Sequence, residues 1–144
     1  MYDKVLVAVD LSPNAEKVIL AAKKLVNNEL DRLQIVHTVE PLPAMWSLEG
    51  CSIDPVELQQ KIVENATEVL EKMTAEAGID KSRQCIKLGS SVSEIRNAAN
   101  EFNADAIVIG GHGHSGWKLM LGNTANKLLH GATCDVLTVY VGKD

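Results

Sequence analysis

The feature that most constrains the fold is a regular alternation of short aliphatic runs with longer amphipathic segments. Buried strands are predicted over Lys4–Asp10, Leu33–Val39, Gln84–Leu88, Ala104–Ile109 and Cys134–Val141. Four segments with apolar residues at helical spacing lie between them. Strands that alternate with helices form right-handed crossovers and a parallel sheet. We therefore predict an α/β fold: a single doubly wound layer of five parallel strands with four helices.

Capping residues predict where the helices begin and end. Ser12 is expected to cap the first helix, with Pro13 at the first helical position. Asp54 precedes the second helix, which should stop at Gly78. Ser91 begins a Ser-x-x-Glu capping box at the start of the third helix.

Length and composition limit the class of protein. A chain of 144 residues fits one domain, residues 1–144. Aromatic residues make up 3%, so the core must be aliphatic, which suits a sheet covered on both faces. A net charge of -5 argues against a nucleic-acid partner, and no apolar run is long enough to span a membrane. Three cysteines without C-x-x-C spacing favour a reduced, cytoplasmic setting.

A glycine-rich segment follows the fourth strand. Five glycines lie within the 13 residues from Gly110 to Gly122, and a last helix is predicted over Thr124–His130. Glycines let the backbone approach a ligand closely, and a helix N-terminus favours an anion. Gly122 would be the close-approach residue of a phosphate site, with Asn123 as an extra donor. The alternative is that the glycines serve only a tight strand-to-helix connection.

The same segment contains the spacing of a dinucleotide fingerprint, Gly111-x-Gly113-x-x-Gly116. That fingerprint belongs in the first strand-to-helix turn and needs a carboxylate about 20 residues later, at the end of the next strand. Here the segment follows the fourth strand, and the next strand ends in Thr138-Val139-Tyr140. An NAD-dependent dehydrogenase is therefore not expected.

Several segments together resemble the universal stress protein (UspA) family. They are Val7–Ser12, Ile35–His37, Gly110-x-x-Gly113, Gly122–His130 and Cys134–Val139. The resemblance covers essentially the whole chain. It implies an adenine nucleotide alpha-hydrolase-like sheet of order 3-2-1-4-5, in which strands one and four adjoin where the order reverses. Ligands of such sheets bind in the crevice at that point.

The resemblance also implies ATP as the ligand and a set of binding residues. Asp10, with Ala8 or Val9, would contact adenine and ribose, and Thr38 would flank the base. The glycines after strand four would line ribose and phosphates, and the start of the last helix would hold the phosphates. The full set is Ala8, Val9, Asp10, Thr38, Ile109, Gly110, Gly111, Gly113, Gly122, Asn123, Thr124 and Ala125.

Two departures from the family pattern keep a second interpretation open. Eight residues separate Gly113 from Gly122, one fewer than in the pattern, and Asn123 replaces a Ser or Thr. Some members, UspA among them, lack the glycine pattern and are thought not to bind ATP. This chain keeps every glycine of the motif, which favours the binding branch. The alternative is a dimer that binds no nucleotide and acts through protein partners.

Charge and side-chain chemistry further define the expected activity. Between Gly110 and Thr124 the only permanent cation is Lys118, so Mg²⁺ is expected to supplement it beside a triphosphate. No residues form a predicted protein metal site. No Ser-His-Asp or Cys-His constellation is identifiable either, so the protein is not expected to be an enzyme beyond slow ATP hydrolysis. An ATPase stays the third interpretation.

The last strand is apolar and lies near the C-terminus. An exposed apolar edge favours pairing with another chain. Coverage by the last helix is the alternative. The resemblance implies a homodimer that pairs residues Val136–Val141 across a two-fold axis.

Overall fold

The computed structural model describes residues 2–42, 54–111 and 127–141. The strands are β1 (Val5–Ala8), β2 (Leu33–Val39), β3 (Gln84–Leu88), β4 (Ala106–Gly111) and β5 (Asp135–Tyr140). The helices are α1 (Ala15–Leu25), α2 (Pro55–Glu76), α3 (Ser91–Phe102) and α4, for which residues 127–131 are described. No helix within these ranges is long and apolar enough to cross a bilayer.

The five strands form one parallel sheet in the order β3-β2-β1-β4-β5. β1 lies at the centre, where Ala8 pairs with Val36 of β2 and with Ile109 of β4. This arrangement confirms the predicted order 3-2-1-4-5. It also places the reversal of strand order between β1 and β4.

Helices cover both faces of the sheet, because successive strand side chains point to opposite sides. On one face, Val5 and Val7 pack with α1 and with Leu70 of α2. On the other, Leu6 and Ala8 pack with α3 and with Leu128 of α4. The buried apolar side chains are Val, Ile, Leu and Ala, as the scarcity of aromatic residues predicts. The doubly wound fold is confirmed.

The first strand-to-helix connection differs from the prediction. β1 ends at Ala8, not at Asp10, and the residue at the N-cap position of α1 is Asn14, not Ser12. Ser12 instead donates from its backbone amide and its hydroxyl to the Asp10 carboxylate. The carboxylate and the serine form a turn of their own, so the helix begins later.

The ends of α2 follow the prediction, and the start of α3 does not. Asp54 caps α2, accepting a backbone amide with its side chain, and Gly78 follows the helix with a left-handed φ of 77°. At α3 the capping position is Ser90, and Ser91 is the first helical residue. The Ser91 hydroxyl bonds the hydroxyl of Thr38, so it has a tertiary partner in place of a capping role.

β4 lies two residues later than predicted, over Ala106–Gly111. Asn103 has a left-handed φ of 57° and the Ala104 amide still bonds the end of α3, so the strand cannot begin at Ala104. Gly110 and Gly111 are strand residues, paired with the last two residues of β5. The glycine-rich segment therefore begins inside the sheet.

Candidate functional site

The site predicted from the sequence lies at the carboxyl edge of the central strands. Ala8, Val36 and Ile109 form the last row in which β1 pairs on both sides. Asp10 and Gly111 each follow that row by two residues, one on each side of the point where the strand order reverses. Crevices at such a point are the usual ligand sites of open α/β sheets.

Asp10 is held in one orientation by its own turn. Its Oδ1 accepts the Ser12 amide at 3.0 Å and the Ser12 hydroxyl at 2.6 Å. Asp10 is half-buried. A carboxylate can accept about four hydrogen bonds, so these two contacts leave acceptor capacity for hydroxyl groups of a ligand. The turn thus supplies a fixed negative charge at the carboxyl edge.

Val9, which precedes this turn, is bonded to β2 at both of its backbone polar groups. Its amide donates to the Val36 carbonyl at 2.9 Å, and its carbonyl oxygen lies 2.8 Å from Nδ1 of His37. The Val9 side chain is buried in the core. Contact between Val9 and a ligand stays a prediction. His37 is a neighbour of the site that is not among the binding residues implied by the resemblance.

Thr38 at the end of β2 is joined to the start of α3. Its hydroxyl lies 3.0 Å from the hydroxyl of Ser91, which is 5% exposed. One residue on, the carbonyl of Val39 accepts the Gly89 amide at 2.9 Å. The sequence pointed to Ser91 only as a cap, because no local spacing signals a partner that is far away along the chain.

Gly110 has a packing role that is independent of any ligand. A Cβ at this position would lie 2.9 Å from Cγ2 of Val18, a buried residue of α1. Only a residue without a side chain lets α1 pack this closely on β4. The family pattern and the core therefore both require glycine here.

The remaining predicted residues fall into two groups. Ala8 and Ile109 are buried strand residues in the core beneath α3, so a ligand could meet them only at the backbone. The others lie outside the described residues: Gly113, Gly122, Asn123, Thr124 and Ala125, together with Lys118. The described structure thus brings together the Asp10 turn, Thr38 and the end of β4, which correspond to the base and ribose half of the predicted site.

Other reactive side chains in the described ranges do not form a second centre. Burial, reinforced by the nearby carboxylates of Asp135 and Asp105, raises the pKa of the Cys134 thiol, which disfavours the nucleophilic thiolate. No group of three or more His, Cys, Asp or Glu residues able to hold a metal ion occurs within residues 2–42, 54–111 and 127–141.

Comparison with known proteins agrees with the fold and with the predicted family. The sequence matches the model of the Universal stress protein family over residues 1–140. It is 33% identical over 141 residues to Universal stress protein A homolog 2 of Coxiella burnetii, covering 97% of this chain and 96% of that protein. Homolog 1 of the same organism is 34% identical over 140 residues, with 97% of both chains covered.

Solved structures of the same family have the same fold. A universal stress family protein from Burkholderia pseudomallei superposes with a TM-score of 0.65 at 25% identity, covering 96% of both chains. A universal stress protein solved in complex with cAMP superposes with a TM-score of 0.60 at 19% identity, covering 98% of this chain and 99% of that one. The chain belongs to the universal stress protein family.

Proposed function

We propose that this protein binds an adenine nucleotide, ATP, as a regulatory ligand of the stress response. The nucleotide would lie between the end of β1 and the segments Gly110–Gly113 and Gly122–Ala125. The observation that carries the proposal is the fixed Asp10 carboxylate at the point where the strand order reverses, next to the end of β4.

The chemistry of the described groups fits the sugar and base of a nucleotide. A carboxylate that only accepts hydrogen bonds is suited to the hydroxyls of a ribose. The Thr38 and Ser91 hydroxyls each combine one donor with acceptor capacity, so the pair can adapt to a polar base edge. The complex of a family structure with cAMP supports an adenine ribonucleotide as the ligand class.

The phosphates would be held by the start of the last helix, as the sequence predicts. Backbone amides at a helix N-terminus favour an anion, and Gly122 would allow close approach. Lys118 alone supplies little positive charge, so Mg²⁺ would bind with the triphosphate. We propose a regulatory ligand and not a substrate, because no base that would activate water for rapid hydrolysis is identifiable from the sequence.

The first experiment asks whether the purified protein carries nucleotide. The protein is denatured, and the released supernatant is separated by ion-exchange chromatography for adenine nucleotides. Adenine nucleotide should be released from the wild type but not from Gly122→Val, since a valine at the close-approach position blocks the phosphates. If the wild type releases none and binds no added ATP, the nucleotide proposal is wrong.

That negative result would favour the second candidate, a dimer that acts through protein partners. The shortened spacing between Gly113 and Gly122 and the presence of Asn123 are the observations that support it.

The Mg²⁺ contribution has its own test. ATP affinity measured by isothermal titration calorimetry should fall when EDTA removes the metal, because the phosphate charge is then less neutralised. Equal affinity with and without EDTA would contradict a role for Mg²⁺ and leave ATP binding itself intact.

A further inference from the structure

We infer that His37 is a positioning residue for the nucleotide site: its ring holds the Val9 carbonyl and thereby sets the orientation of the Asp10 turn. The inference rests on the proposed function, because it concerns how the protein selects the ribose of that nucleotide. It assigns a role to a side chain that is not among the binding residues implied by the family resemblance.

The contact identifies which nitrogen of the ring donates. Nδ1 of His37 lies 2.8 Å from the Val9 oxygen. A carbonyl oxygen only accepts hydrogen bonds, so Nδ1 must carry the proton and donate it. A neutral His37 therefore has its proton on Nδ1, and Nε2 is left as an acceptor.

The contact lies where β1 and β2 stop pairing. The last paired row is Ala8 with Val36, and the Val9 amide then makes one more bond to the Val36 carbonyl. At the next polar group along the chain, the Val9 oxygen, the donor is the imidazole of His37. The ring thus continues the attachment of β1 to β2 by one more bond.

That bond acts on the site through one rigid unit. The Val9 carbonyl and the Asp10 amide belong to the same peptide plane, which rotates only as a whole. Fixing the oxygen fixes the direction in which the chain enters Asp10. The two Ser12 bonds then hold the carboxylate on that turn. His37 therefore acts on a ligand through Val9 and Asp10, without touching the ligand itself.

The consequence is selectivity for the ribose hydroxyls. When the peptide plane is released, the carboxylate samples more orientations and its bonds to the sugar weaken. Bonds to other parts of the nucleotide keep their strength. Loss of the His37 hydrogen bond should therefore reduce the preference of the protein for ATP over 2′,3′-dideoxy-ATP, which lacks both hydroxyls.

The experiment compares His37→Phe with His37→Asn. Phenylalanine keeps a planar ring and removes the donor, whereas the asparagine amide nitrogen can reach the position of Nδ1. Calorimetry measures Kd for ATP and for 2′,3′-dideoxy-ATP in each protein, and circular dichroism measures Tm. In His37→Phe, the Kd for 2′,3′-dideoxy-ATP divided by the Kd for ATP should fall by about three- to tenfold, the range expected for one hydrogen bond. His37→Asn should restore it.

Each other outcome is decisive. An unchanged ratio in His37→Phe, with ATP still bound by the wild type, overturns the positioning role and leaves the proposed function standing. A reduced ratio in His37→Asn equal to that of His37→Phe also overturns it, because the donor would then be irrelevant. A wild type that binds no ATP overturns this inference together with the proposed function.

A nucleotide-free measurement separates the hydrogen bond from its consequence. Long-range ¹H–¹⁵N correlation spectra of the wild type, recorded at a pH at which the His37 ring is neutral, should show its proton on Nδ1. A proton on Nε2 alone would overturn the inference at its first step, whatever the protein binds.

Discussion

Gly110 shows how the absence of a side chain allows a helix to pack closely on a strand. Its backbone pairs with β5 and its Cα faces the buried Val18 of α1. The sequence analysis predicted Gly110 to be the first residue of the glycine-rich segment that follows the fourth strand. In the structure Gly110 belongs to β4, because its pairing with β5 and the close packing of α1 outweigh the low strand propensity of glycine.

We predict that Gly110→Ala lowers the free energy of unfolding by about 1–3 kcal/mol, the usual cost of overpacking a core. The added methyl would meet the stiff, branched side chain of Val18. Urea denaturation followed by circular dichroism measures the loss. The loss in the double variant Gly110→Ala with Val18→Ala should be smaller than the sum of the losses in the two single variants, because the clash is then relieved. No loss in the single variant would show that α1 does not pack this closely on β4.

At the scale of elements, two adjacent serines at the start of α3 have different roles: Ser91 makes a tertiary contact, and Ser90 occupies the N-cap position. Ser91 is buried against Thr38, whereas the Ser90 side chain makes no capping hydrogen bond. Ser91→Ala should therefore cost about 1 kcal/mol of stability, the typical value of one intramolecular hydrogen bond. Ser90→Ala is the matched control and should cost less. If Ser90→Ala is the more damaging change, the structure's assignment of the cap is wrong.

Asp105, just before the amino end of β4, is expected to make the stability of the protein depend on pH. The Asp105 carboxylate accepts the amides of Asp3 and Lys4 at 2.9 and 3.0 Å. Burial raises the pKa of this carboxyl, but the amide bonds outweigh it and the net pKa is below its ordinary value. A carboxyl with a lowered folded pKa stabilises the fold above its unfolded pKa of about 3.9 and loses that contribution as pH falls through the folded value.

Asp105→Asn should therefore destabilise the protein at pH 7, and the difference from the wild type should shrink below about pH 4. Urea denaturation over a range of pH values measures both. Asp31→Asn, at an exposed position, is the control and should leave the stability at pH 7 nearly unchanged. If the difference in stability between the wild type and Asp105→Asn grows as the pH falls, the Asp105 carboxylate does not stabilise the fold in the way proposed.

Element bounds were predictable where the signals are local. β2 and β3 match their predicted ranges to the residue, and Asp54 caps α2 as expected. Ser12 and Ser91 were misassigned because each has a partner that no local pattern reveals, the Asp10 carboxylate and the Thr38 hydroxyl. Local spacing predicts a cap, but it cannot show which competing acceptor or donor the fold brings near.

For the candidate site, the sequence predicted its position at the carboxyl edge of the central strands. It did not predict the hydrogen bonds that join His37 to Val9 and Ser91 to Thr38. Asp10 and Thr38 were predicted as binding residues through the family resemblance. The His37–Val9 contact depends on how far β1 and β2 remain paired, which is a property of the assembled sheet. The phosphate half of the site lies outside the described residues and remains a prediction of the sequence.

On the scale of the whole molecule, β5 is an edge strand whose outer residues are open. Leu137 is 40% exposed and Tyr140 is 74% exposed. We propose that a second copy of the chain pairs here, as the family resemblance implies. Val141 is buried in the core, so the exposed contact residues would be Leu137 and Tyr140.

The dimer is tested by sedimentation velocity. The wild type should sediment as a dimer, and Leu137→Glu with Tyr140→Glu should sediment as a monomer, because two charges would be buried at the interface. Leu20→Glu, at a 51% exposed position on α1, is the matched control and should stay dimeric. A wild-type monomer at micromolar concentration would rule out the interface.

The most direct test of the account is the affinity for ATP with Mg²⁺ of the wild type, Asp10→Asn and Asp80→Asn, measured by calorimetry. Asp80 is the matched control, because its carboxylate also accepts the hydroxyl of a serine two residues on, but it lies before β3 at the opposite edge of the sheet. Asp10→Asn should weaken ATP binding by about tenfold or more, the range for a hydrogen bond to a charged group, and Asp80→Asn should bind like the wild type. Equal affinity in all three proteins would contradict the placement of the nucleotide at the end of β1.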